Sequence, residues 1–138
     1  MYVSKSVAAA LDPGRSKIAR KALTGIVARL NRFVEGERLT VSTPRIGDGK
    51  GEVKALNQKD RKVFAMRFYD VDPQRRLVGV FIKKDVFVGF EMYDRSKIDW
   101  PAACRKVQNS INAMGLDAPS CLTYEEMDEV LSNWVESK

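Results

Sequence analysis

The sequence predicts an α+β fold: an N-terminal amphipathic helix, an antiparallel β-meander of about five strands, and two C-terminal helices. Three observations predict it. Apolar residues between positions 18 and 33 recur at helical spacing. Between positions 63 and 93 they form strand-length runs joined by connections too short for crossovers. Beyond Asp99, helical spacing returns twice, each time with capping residues in front of it. The chain has 138 residues, which suits one domain. A chain of this size buries about two thirds of its unfolded surface, enough for a core without staples. We expect residues 1–14 to be an arm and residues 15–138 a single domain.

Asp12-Pro13-Gly14 is a turn signal that closes the arm. The first helix is expected over residues 15–33. Ile18, Ala19, Ala22, Leu23, Ile26, Leu30 and Phe33 form its apolar stripe. Arg15, Lys17, Arg20, Lys21, Arg29 and Arg32 give it a basic outer face, and no acid lies between positions 13 and 34. By contrast, residues 117–138 carry Asp117, Glu125, Glu126, Asp128, Glu129 and Glu136 against Lys138 alone. The net charge of +6 is therefore split between a cationic and an anionic end. Two partners suit the basic face: nucleic-acid phosphates, or the acidic end of the same or a second chain. Aromatic residues do not interleave with these cations in sequence, so nucleic acid is the less favoured partner, and a solvated basic face is the leading reading.

Strands are expected over residues 39–43, 53–56, 63–70, 76–82 and 86–93. Trp100, Cys104, Val107, Ile111 and Met114 then mark a helix, with Asp99 as its cap, Pro101 in its first turn and Gly115 past its end. Thr123-Tyr124-Glu125-Glu126 has capping-box spacing, with Leu122 and Met127 as the staple. Met127, Val130, Leu131, Trp134 and Val135 complete the stripe of a last helix.

Several chemistries are excluded. The chain has no histidine, so no Ser-His-Asp triad, Cys-His pair or histidine base can form. Cys104 and Cys121 are too few for a disulfide framework or a closed zinc site. No cofactor motif and no catalytic residue set is recognisable, and no metal site is expected. The longest apolar runs, 77–82 and 86–90, are far short of a membrane span, and the first residues are too short for a signal-peptide core. Cytoplasm is the expected compartment.

Register arguments single out one surface. If residues 83–85 form the loop of a hairpin, Phe81 faces Phe87, Gly79 faces Gly89 and Leu77 faces Glu91. A loop at 71–75 sets Phe68 opposite Val78, Met66 opposite Val80 and Phe64 opposite Ile82. One sheet face is then wholly apolar, and the helices are assigned to it. The other holds Arg67, Tyr69, Gly79, Phe81, Phe87, Gly89, Glu91 and Tyr93. The paired glycines would leave a hollow, a common sign of close approach by a backbone or ligand. Three uses compete: packing of a helix or second protomer, a small-molecule pocket oriented by Arg67 and Glu91, and catalysis by Glu91 or Asp70 with Tyr69 or Tyr93. Self-association as a two-fold homodimer is favoured, because so apolar a face is unusual on a small monomer.

Gly47-x-Gly49-x-Gly51, with Lys50 and Arg45 nearby, offers backbone N–H groups to a phosphate, but it lacks P-loop spacing and reads better as a flexible hairpin loop. Asp70 and Asp72 beside Arg75 and Arg76 read as surface pairs at a turn.

The run Val53-Lys54-Ala55-Leu56, a polar turn, Lys62-Val63-Phe64-Ala65-Met66-Arg67-Phe68, then residues 77–81 and 86–90 and a helix resembles the RelE/HigB-type ribosome-dependent RNase toxins. The resemblance covers residues 15–114 in pattern. It implies a helical N-terminal part before a small antiparallel sheet, with Arg67 and Tyr93 as site candidates. The missing histidine and Glu91 depart from that pattern. The favoured expectation is a non-catalytic small-ligand-binding or interaction module that self-associates through the second sheet face. The alternative is a basic RNA-associated protein of that toxin type.

Overall fold

The computed structural model describes residues 1–42, 50–56, 63–69, 71–72, 74–116 and 125–137. Its strands are β1 (Tyr2–Val3), β2 (Leu39–Ser42), β3 (Val53–Ala55), β4 (Val63–Phe68), β5 (Arg75–Lys83), β6 (Val86–Asp94) and β7 (Trp134–Glu136). Its α-helices are α1 (Lys5–Leu11), α2 (Arg20–Val34) and α3 (Trp100–Met114), and a short 3₁₀ helix covers Glu125–Glu129. The fold is mixed α and β, with one sheet in the order β1-β6-β5-β4-β3-β2-β7.

The sheet is not the expected five-stranded antiparallel meander. β3, β4, β5 and β6 do pair antiparallel in sequence order. β2, however, runs parallel to β3 and β7, and β1 runs parallel to β6. β1 and β7 are too short to show an alternating pattern, so local periodicity misses them. Residues 1–14 are more than an arm. They supply β1 and α1, capped by the Ser4 hydroxyl, which accepts the Val7 N–H at 3.2 Å, and Val7 is fully buried.

The first long helix starts at Arg20 instead of 15. Asp12 accepts the Gly14 N–H at 2.9 Å and pairs with Arg15, and Ser16 accepts the Ile18 N–H at 3.1 Å. Those local bonds offer the backbone an alternative to helix. From position 22 the buried stripe is as expected, with Ala22, Leu23, Ile26, Leu30 and Phe33, but Ile18 and Ala19 precede the helix and Ala19 is exposed. α3 has the expected ends and buries Cys104, Val107 and Ile111, while Met114 of the expected stripe is exposed. Asp99 accepts the Ala102 N–H, Pro101 sits in the first turn and Gly115 closes the helix at φ 66°.

The expected last helix is replaced by the 3₁₀ turn and β7; its proposed cap, residues 122–124, lies outside the described residues. Met127, Val130 and Leu131 are buried as the stripe requires. Tertiary bonds then redirect the chain. The Asp85 N–H donates to the Val130 carbonyl at 2.8 Å, the Asp85 carboxylate accepts the Ser132 N–H at 2.9 Å, and the Leu39 N–H donates to the Asn133 carbonyl at 3.1 Å. Trp134 thereby sits opposite Leu39 as a strand residue.

Register decides the two faces. β5 and β6 pair Phe81 with Phe87 and Gly79 with Gly89, as expected, but an irregularity then sets Val78 opposite Glu91 and Leu77 opposite Met92. β4 and β5 are three residues from the expected register: Phe64 faces Gly79, Met66 faces Leu77 and Phe68 faces Arg75. An odd slip exchanges faces. Phe64, Met66, Phe68, Leu77, Phe81 and Phe87 consequently share a core with α2 and the 3₁₀ turn. Val63, Ala65, Val78, Val80 and Val88 share another with α3. Helices therefore cover both faces of the sheet, not one. The exposed apolar face that motivated self-association is occupied by the chain itself.

The hollow over the paired glycines is also filled. A Cβ on Gly89 would meet Leu77 Cδ1 at 2.9 Å, and one on Gly79 would strike the Val88 carbonyl and the Phe87 ring. Phe81 and Phe87 are fully buried, edge to face at 5.1 Å. Overpacking a core position costs about 1–3 kcal/mol. Gly89→Ala is expected to lower stability by about that amount in urea unfolding; a variant as stable as the parent would mean that the space is open.

Candidate anion-binding cleft

The register of β4 and β5 also places charge. Ala65, Arg67 and Tyr69 follow Val63 on the face that carries α3, and Arg67 stands directly opposite Arg76 of β5. Like charges opposed across an antiparallel pair are destabilising unless something compensates them. Tyr69 lies between the two, with each guanidinium carbon 5.2 Å from its ring centroid, a cation–π distance.

These residues floor an open cleft of about 920 Å³ between the β3–β5 end of the sheet and the first turns of α3. Lys50, Lys54, Arg67, Arg76, Arg95 and Arg105 line it, with Gln74, Tyr69, Trp100 and Cys104. Among the described residues no carboxylate does. Ala65 and Leu56 keep the floor low, and Trp100 and Pro101 build the helical wall.

Two of the arginines are fixed in place. Arg67 donates from Nε to the Gly51 carbonyl and from Nη2 to the Ser42 hydroxyl, both at 2.7 Å. Gly51 permits this because a Cβ there would collide with the Val41–Ser42 backbone. Arg76 is 4% exposed; it donates to the Arg75 carbonyl at 2.9 Å and to Gln74 Oε1 at 3.1 Å. No carboxylate among the described residues pairs with it. Burial holds its pKa below the usual arginine range; Tyr69 opposes that shift, and the Arg67 and Arg95 charges reinforce it. A buried charge is costly unless it is paired, and among the described residues Arg76 meets only neutral acceptors and the Tyr69 ring.

The sequence-predicted surface is thus divided. Arg67 and Tyr69 line the cleft. Tyr93 pairs with Arg76 across β5 and β6, beneath α3. Glu91 is engaged by Lys106 of α3 at 3.2 Å. Gly79, Phe81, Phe87 and Gly89 belong to the core on the opposite face. The basic face of α2 is partly committed: Arg29 pairs with Glu52 at 2.6 Å, Arg32 with Glu37 and Glu52, and Arg15 with Asp12 at 3.0 Å. Lys17, Arg20 and Lys21 are exposed.

In the sequence Lys50 is a weak phosphate signal beside the glycine loop, whereas Lys54, Gln74, Arg76, Arg95, Trp100 and Arg105 escape the sequence reading as site residues because they come from separate segments. Arg76, expected in a surface pair at the 70–75 turn, instead faces the cleft, and Arg75 approaches Asp94 at 3.9 Å. Asp70, Arg45, Gly47, Gly49 and Cys121 lie outside the described residues. Among the described residues no group of three or more metal-ligating side chains occurs, and no helix is long and apolar enough to cross a membrane. Comparison with family models, curated proteins and solved structures finds no match.

Burial first, then Glu91 and Cys104, raise the pKa of Tyr93 above its ordinary 10.0. The fold favours the neutral phenol, so this stabilisation is complete below pH 10.0 and lost as pH rises through the folded value. Tyr93→Phe is expected to flatten a Tm-against-pH curve between pH 10.0 and the folded value. An unchanged alkaline limb would show that Tyr93 does not titrate with unfolding.

Proposed function

We propose that this protein is a non-catalytic binding module that holds a phosphate-bearing anion in the cleft between β3–β5 and the start of α3. The buried Arg76 guanidinium, opposite Arg67 and without a carboxylate partner among the described residues, carries this reading. A bound anion would supply the missing countercharge. Guanidinium forks bind phosphate oxygens in paired, charge-assisted hydrogen bonds, and arginine is favoured wherever such recognition is needed. Arg67, with Nε and Nη2 anchored, is already oriented, which lowers the entropic cost of capture.

The cleft's described lining offers cations and neutral donors and no carboxylate base, which supports binding over turnover. Of the two residues that the toxin resemblance implied, only Arg67 lines the cleft. Strand cleavage is therefore not part of this reading.

Anything that binds only the folded state stabilises it by about 2.7 kcal/mol at a hundredfold excess over Kd. Thermal unfolding in phosphate-free buffer is expected to shift upward on adding pyrophosphate or tripolyphosphate. Arg76→Met keeps the volume and removes the charge. We expect that variant to unfold at the parent's temperature or higher without ligand, and to bind about 10–100-fold more weakly, since charged hydrogen bonds are worth about 1.5–3 kcal/mol. No stabilisation by any phosphate compound, together with an unchanged response in Arg76→Met, would remove the proposal.

A further inference from the structure

We infer that the anion is the backbone of a single-stranded nucleic acid, whose phosphates lie along the cleft cations while a base stacks on Trp100. This rests on the anion-cleft reading above and adds the identity of the ligand. Two observations carry it.

The first is the spread of charge. The cations arise in separate segments: Lys50 and Lys54 at β3, Arg67 on β4, Arg76 on β5, Arg95 after β6 and Arg105 on α3. A ligand with one phosphate cluster has no use for donors on so many elements, whereas a chain of phosphates meets them in succession. The second is the aromatic wall. Trp100 is half-buried on the core of α3 and still lines the cleft, which gives a fixed, partly exposed ring beside the cations. Stacking platforms next to a basic groove are how proteins hold single strands without reading sequence. Tyr69 is already flanked by two guanidinium groups, so it positions Arg67 and Arg76, and Trp100 is left to take the base. A duplex keeps its base faces inside its own stack and offers Trp100 nothing.

The outer face of α2 is the weaker candidate for the same ligand. Its Arg29 and Arg32 are held by Glu52 and Glu37.

The test is fluorescence anisotropy with labelled twelve-nucleotide oligouridylate, oligothymidylate and a hairpin duplex, with ATP and tripolyphosphate as competitors, across a salt series. We expect either single strand to bind at least about tenfold more tightly than duplex or ATP. Three or more phosphate contacts give a log–log salt slope of about −2 or steeper, at about −0.7 per phosphate. The exposed Arg105→Ala should weaken binding and flatten the slope by about 0.7. Trp100→Ala should weaken binding about tenfold with the slope unchanged. Lys21→Ala, on α2, should leave both unchanged. Preference between the two oligomers would identify RNA or DNA as the source. If ATP and tripolyphosphate bind as tightly as the oligomers, and Trp100→Ala has no effect, this inference falls and the anion cleft stands. A duplex bound equally well, or Lys21→Ala as damaging as Arg105→Ala, also overturns it. If no phosphate compound binds at all, both readings fall.

Discussion

Arg67 and Arg76 face each other across two adjacent antiparallel strands, and much of the molecule is arranged around that like-charged pair. The pair exists because β4 and β5 meet in one register, and the same register sorts every apolar side chain between them. Phenylalanines from β4 join the core under α2, and the small residues Val63 and Ala65 join the core under α3. Ala65 then leaves room above it, and the arginines at the end of the strands find a cleft instead of a packed helix. Core packing and site placement are consequences of one alignment.

The cost of opposing two cations is met in part by the neighbourhood. Tyr69 presents its ring to both guanidinium groups, Gln74 and the Arg75 carbonyl accept from Arg76, and Ser42 and Gly51 accept from Arg67. Each of these neighbours is formally neutral. They satisfy hydrogen bonds without cancelling charge, so the described lining of the cleft remains cationic. Elsewhere the chain treats arginine differently. Arg29 and Arg32 of α2 meet Glu52, whose carboxylate also accepts the Thr40 N–H at 2.9 Å, and their charge is spent on tying α2 to β2. The contrast separates arginines paired with a carboxylate from those that the described neighbours hold through neutral groups.

The aromatic core gives the sheet the rigidity that such a site needs. Phe33, Phe64 and Phe87 surround Phe81 in edge-to-face contacts with centroids 5.1–6.3 Å apart. The absence of a Cβ at Gly79 and Gly89 is what lets Phe87 and Leu77 occupy the space between the strands. Glycine here serves the close approach of neighbouring side chains and backbone, the use that a strand glycine most often has.

Local patterns determined a good part of this protein. The stripe of α2 from Ala22 onward, the span of α3 with Asp99 and Gly115 at its ends, and the facing of Phe81 with Phe87 and Gly79 with Gly89 follow from spacings within one segment or across one short loop. Arg67 and Tyr69 were legible as site candidates because both sit on an apolar strand where a polar group calls for a reason. Tertiary structure alone decided the rest. The β4–β5 register depends on which helix covers which face, and a period of two is satisfied equally well by several alignments. β1 and β7 are two or three residues long and take their conformation from neighbours' hydrogen bonds, so Met127, Val130 and Leu131 could promise a helix that Asp85 and Leu39 diverted into a turn and a strand. The cleft itself was invisible for the same reason. Charge in a sequence is counted along the chain, whereas the field at Arg76 is the sum over residues that only folding brings together.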